Sequence, residues 1–169
     1  TTRRTDALEA AQVPGWWAGV EQLNNRTASV YLRALLLTGA RREELAAMKW
    51  ADVDFQWRKL TIADKVEATR TIPLSPYLAQ LLMTLPRSNE FVFASTGKAG
   101  RIADTRASHA KALQSASIEG LTIHGLRSLE DDNGMGVFEC HLTGDGIQAS
   151  ARLNVFRPPQ AANYLAESK

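Results

Sequence analysis

A single cysteine, Cys140, stands among the 169 residues, so no disulfide can form within the chain. That scarcity fits a reducing compartment, and a cytoplasmic location is expected. No apolar run approaches the roughly 18 residues of a membrane span, so neither a transmembrane helix nor a membrane partner is expected. The three histidines, His109, His124 and His141, lack metal-ligand spacing, and the adjacent Cys140-His141 pair is no site alone. Gly-x-Ser-x-Gly and phosphate-cradling glycine loops are absent, as are internal repeats and low-complexity tracts. Thr1-Thr2-Arg3-Arg4 is followed by no apolar h-region, so a signal peptide is not expected. The first residue is not Met, and the chain is expected to be a fragment of something longer.

What is present is an ordinary globular composition, 44% apolar and 22% charged, at a length suited to one domain with a real core. The net charge of +2 is unevenly spread. Residues 1–127 hold 17 Lys and Arg against 12 Asp and Glu, a balance of +5. Residues 128–169 hold 3 against 6, a balance of −3. A basic body favours a polyanionic partner, although ordinary surface charge gives the same figure.

The pattern predicts a mainly helical α+β chain with a small antiparallel sheet. Pro14-Gly15 breaks the chain ahead of a short helix carrying Trp16 and Trp17, which read as core. Asn24 to Thr27 offers a cap for a helix through Leu37, with Leu32, Leu35 and Leu36 at helical spacing and Gly39 as its stop. Glu43 to Met48 reads as another helix. Leu60-Thr61-Ile62 and Thr69 to Ile72 alternate as a hairpin does, and Pro73 closes it. Ser75-Pro76 caps a helix bearing Leu78, Leu81 and Leu82. Phe91-Val92-Phe93 reads as a further strand, Asp104 to Ser115 as a helix, and Thr122 as the cap of a helix carrying His124 and Arg127. Beyond Arg127 come the acidic run Glu130-Asp131-Asp132 and two strand-like stretches, Val137 to Leu142 and Ile147 to Val155, joined by Thr143-Gly144-Asp145-Gly146.

Two motifs carry chemistry. The first is Thr38-Gly39-Ala40-Arg41 with Glu44 and Leu45; the second is His124-x-x-Arg127, 83 residues after Arg41. A guanidinium is planar, permanently charged and forked, so it grips two phosphate oxygens at once. A histidine exchanges a proton near neutral pH. Glu44, one turn after Arg41, is placed to brace it; a plain surface Arg–Glu pair is the alternative. Between the two motifs, Lys65 stands eight residues before the proline of Arg70-Thr71-Ile72-Pro73-Leu74. A lysine on a hairpin turn can enter a minor groove and protonate a leaving oxygen; an ordinary turn lysine is the bland reading.

Together these residues resemble the tyrosine recombinases, the phage integrase family, over roughly residues 14–127. The resemblance implies an integrase-like catalytic core there, with residues 1–13 a linker remnant and 128–169 a divergent segment. The family's arm-binding and core-binding domains are expected to be missing. It implies double-stranded DNA as partner, self-association on DNA, and a bacterial or phage-encoded cytoplasmic protein. It also implies cleavage with neither metal nor cofactor. A tyrosine attacks a DNA phosphate, giving a 3′-phosphotyrosine and a 5′-hydroxyl. Arg41 and Arg127 would stabilise the phosphoryl oxygens, His124 would assist proton transfer, and Lys65 would protonate the leaving oxygen. Arg41, Lys65, Arg70 and Arg127 are the expected DNA contacts, with Arg41, His124, Arg127 and Lys65 converging on one pocket.

After Arg127 the resemblance fades. The family continues with helices, a Gly-His or Gly-Trp pair, and the nucleophilic tyrosine about ten residues later. No Gly-His pair occurs here, and Asn154 stands ten before Tyr164. Tyr164 is the one tyrosine after Arg127, hence the candidate nucleophile. Three readings stay open: an active recombinase; a DNA-binding remnant impaired by a frameshift or rearrangement after Arg127, or by subfamily divergence; and an interaction domain with an incidental basic face.

Overall fold

The computed structural model describes residues 8–64, 68–127, 138–143 and 146–151. A 3-10 turn over Ala10–Gln12 leads into α1, Val13–Glu21. The second helix, α2, spans Arg26–Thr38. Its Asn25 side chain accepts from the Ala28 N–H, and Gly39 ends it at φ +63°, where a side chain would be strained. The short α3 covers Arg42–Ala46. A 3-10 turn at Trp50–Asp52 then opens a three-stranded antiparallel sheet, β1 Val53–Asp54, β2 Lys59–Asp64 and β3 Ala68–Pro73, in the order β1-β2-β3. The last two described helices are α4, Pro76–Met83, capped by the Ser75 hydroxyl, and α5, Arg106–Ala116. A 3-10 turn spans His124–Arg127, and a separate hairpin pairs β4, Phe138–Thr143, with β5, Gly146–Ala151.

Burial explains the arrangement. α2 is buried along nearly its whole length, from Ala28 to Thr38, and is the central rod of the core. Trp16, Trp17, Tyr31, Leu32, Leu35, Phe93 and Leu82 interlock around it. Tyr31 meets Phe93 edge-on, ring centroids 5.2 Å apart, the geometry aromatic quadrupoles favour. Leu60 and Ile62 turn the inner face of the sheet into the same core. α1 packs along α5, and Gly19 lies at the crossing.

Pro14-Gly15, expected to break the chain ahead of the first helix, instead forms the first turn of α1, where proline is tolerated. Two further expectations change. Phe91–Phe93 is not a strand: residue 91 makes one isolated bridge to Lys49, and the third strand of the sheet is Val53–Asp54. The backbone bonds of this stretch run to different places. Trp50 N–H donates to Glu90 O, Val92 N–H to Met48 O, and Ile102 N–H to Phe93 O. No single neighbour is followed long enough to make a ladder. The second change is at His124: the segment forms a 3-10 turn, with the Gly125 N–H donating to the Thr122 hydroxyl. The expected hairpin after residue 136 is present, with its described strands ending at Ala151.

Candidate functional site

Each residue of the first motif has an identifiable job. Thr38 Oγ1 donates to Ala34 O at 2.7 Å and accepts from Ala40 N–H at 3.2 Å, closing α2 and steering the chain out of it. Gly39 supplies the left-handed turn. Ala40 and Leu45 are fully buried and anchor the loop and α3 from below. Tyr31 OH donates to Arg42 O at 2.8 Å, tying the start of α3 to the central helix. Arg41 sits at the N-cap of α3 with an extended backbone.

A guanidinium has no acceptor, so Arg41 cannot cap the helix with its own side chain. Glu44 makes the return arm instead. Its Oε2 accepts from the Arg41 backbone N–H at 3.1 Å, and its Oε1 accepts from Arg41 Nη1 at 3.0 Å. Backbone and side chain of one arginine are therefore both referenced to one carboxylate. That carboxylate is only 9% exposed, while 48% of the Arg41 side chain remains open to solvent. A cation at a helix start opposes the helix dipole, and the glutamate offsets this locally.

Glu44 has a further partner. Arg70 Nη2, from β3, donates to Glu44 Oε2 at 3.1 Å; its side chain is 31% exposed. Arg70 pairs across the ladder with Ile62, on the face of the sheet that turns inward. The structure thus brings together Arg41, Glu44 and Arg70. The sequence reading linked Glu44 to Arg41 and treated Arg70 as a separate DNA contact.

The backbone of the His124–Arg127 turn packs against α2, the helix that precedes the Gly39-Ala40 turn into Arg41. Leu126 and Ile123 are its buried anchors. With three residues per 3-10 turn, positions 124 and 127 fall on one side of it. The side chains of His124 and Arg127, together with Lys65 and Tyr164, lie outside the described residues. Tyr31 and Tyr77 are buried, and burial pushes both phenols above their ordinary pKa, so neither offers a phenolate near neutral pH. His109 is likewise structural: Trp16 Nε1 donates to its Nε2 at 3.0 Å, and burial pushes it down to about 4. A surface pocket of roughly 300 Å³, lined by Asn25, Thr27, Ser88, Ser95 and Thr96 among others, contains none of the expected site residues. Among the described residues, no group of three or more His, Cys, Asp or Glu is arranged to hold a metal ion. No described helix is long and apolar enough to cross a membrane.

Residues 8–129 match the phage integrase family. The chain belongs to that family. It is 44% identical over 133 residues to prophage integrase IntF of Escherichia coli (strain K12), a match covering 75% of this chain and 28% of that protein. The chain thus spans well under a third of that relative. Among solved structures, a lambda integrase (residues 75–356) dimer bound to a COC′ core site aligns at a TM-score of 0.60 with 19% identity, over 76% of this chain and 52% of that one. The catalytic domain of bacteriophage HP1 integrase aligns at 0.55 with 23% identity, over 73% and 67%. These likenesses establish the integrase catalytic fold, mainly helical with a small antiparallel sheet.

Proposed function

We propose that residues 14–127 form the phosphate-binding core of a site-specific DNA recombinase, and that the chain as it stands binds duplex DNA but cleaves it poorly. The observation carrying the first half is Arg41: fixed at its backbone and at one guanidinium nitrogen by Glu44, yet half exposed. A fixed, open guanidinium is what a phosphate whose charge grows in the transition state requires. Membership of the phage integrase family supports DNA strand cleavage and rejoining as the reaction such a group serves.

In the full reaction, the Tyr164 oxygen attacks phosphorus and the bond to the 5′ oxygen breaks. Lys65 gives that oxygen its proton. The products are a 3′-phosphotyrosine and a 5′-hydroxyl, and the reverse step rejoins a strand without ATP because the ester keeps the bond energy. Arg41 and Arg127 stabilise the phosphoryl oxygens, and His124 assists by accepting the proton that the tyrosine hydroxyl gives up on attack. Cytoplasmic duplex DNA is the partner, and self-association on it belongs to the same reading.

The impaired reading is favoured by the segment after the second motif. The family match stops at residue 129, and the next described elements are the strands Phe138–Thr143 and Gly146–Ala151. Helices are expected there if a tyrosine is to be delivered in line with the scissile bond. A misplacement of about 1 Å can cost about a hundredfold in rate. A nicked suicide substrate tests this directly: little or no covalent protein–DNA adduct is expected. A robust adduct that disappears in Tyr164→Phe overturns the impaired reading and makes Tyr164 the nucleophile.

A further inference from the structure

We infer that Arg70 is a positioning residue: it shares the Glu44 carboxylate with Arg41 and so keeps Arg41 available to a phosphate. The inference rests on the reading of Arg41 as a phosphate ligand. Glu44 Oε2 accepts from both the Arg41 backbone N–H and Arg70 Nη2, each at 3.1 Å, while Oε1 accepts from Arg41 Nη1 at 3.0 Å. One nearly buried carboxylate therefore faces two guanidiniums. Without Arg70, Glu44 would turn both oxygens to Arg41, and a phosphate would compete with it for the same N–H groups. Arg70 approaches from β3, 26 residues away in sequence, and draws Oε2 toward the sheet. Arg41 is the more exposed of the two arginines. The same contact ties the β2–β3 hairpin, whose connection contains Lys65, to the start of α3.

The coupling is testable with and without DNA. In protein labelled with ¹⁵N-arginine, the Arg41 Nε–Hε signal is identified by its loss in Arg41→Lys. It is expected to shift in Arg70→Gln and to shift less in Arg70→Lys, which keeps the charge but not the fork. An Arg41 signal unmoved by Arg70→Gln overturns the inference. Duplex binding is then measured for Arg70→Gln, Glu44→Gln and the double variant, with melting curves confirming that each is folded. Arg70→Gln is expected to weaken binding about fivefold alone and less than about twofold in the Glu44→Gln background, the mark of coupled residues. An equal loss in both backgrounds, with the salt slope reduced by about 0.9, makes Arg70 a direct phosphate contact and overturns the inference. If Arg70→Gln does not fold, Arg70→Lys carries both comparisons with smaller shifts. If the unmutated protein shows no salt-dependent binding, the phosphate-ligand reading fails, while the arginine signal still decides the coupling.

Discussion

Arg33 and Arg41 each pair with a glutamate, and the two pairs are built in reverse. In the first, the arginine side chain is 4% exposed and Glu21 is 48% exposed. In the second, the arginine is the open partner and Glu44 the enclosed one. Arg33 lies on α2 with Nε donating to Ser29 O, Nη2 to the Ser29 hydroxyl, and its guanidinium 5.9 Å from the Trp17 ring. Its donors are spent on the protein's own interior. Arg41 directs one nitrogen to an enclosed carboxylate while about half of its side chain stays exposed. Residue type does not separate a structural ion pair from a candidate ligand site; the direction of burial within the pair does. A buried cation holds a core together, whereas a buried anion holds an exposed cation still.

The sharpest way to break this contrast is at Arg33. Arg33→Ala removes buried donors to Ser29 and leaves a void beside Trp17, so a stability loss of about 3 kcal/mol or more is expected by denaturant titration. Arg41→Ala should cost less, about 1 kcal/mol, because Arg41 is the half-exposed partner and the enclosed Glu44 keeps the position-41 backbone N–H and Arg70 as donors. Comparable losses at the two positions would erase the distinction.

The core's other polar pair sharpens it through pH. His109 has its pKa pushed down to about 4 by burial, from an ordinary 6.5. The unfolded chain takes up the proton first, so this contribution is complete above pH 6.5 and is lost as pH falls toward 4. Over that window the wild type should lose up to about 3 kcal/mol that His109→Gln, which keeps an acceptor for Trp16, does not lose. Parallel pH profiles of the two proteins would show that His109 already protonates in the fold.

Function should respond the other way. If Arg41 is the phosphate contact proposed above, Arg41→Ala weakens duplex binding about tenfold at low salt, with a shallower salt dependence. Arg33→Ala, assayed where it remains folded, should bind within about twofold of wild type. Anisotropy titrations across a salt series measure both.

Much of this was legible in the sequence wherever the deciding interactions are short-range. Asn25, Gly39 and Ser75 mark helix ends through contacts within a few residues. The alternation of Leu60, Ile62 and Ile72 gives the hairpin and its inward face. Phe91-Val92-Phe93 misled because strand character depends on where the backbone bonds go, and here they run to Trp50 and Met48 on either side of one isolated bridge and then to Ile102. The bond between Arg70 and Glu44 had no local signal: it requires the hairpin to be in register and docked beside α3. Arg41 and Glu44, three apart on one helix start, needed no such knowledge.

Gly19 carries a consequence for how α1 and α5 tolerate change. A β-carbon there would lie 2.6 Å from Ala112 O, backbone that cannot swing aside as a side chain could. The missing methyl therefore sets the spacing of the two helices. Trp16 lies one turn before Gly19 on α1, and His109 lies one turn before Ala112 on α5. Even the smallest enlargement at position 19 would push the helices apart and stretch the indole–imidazole bond one turn away. A hydrogen bond between two buried rings is thus governed by the chain's smallest kind of residue.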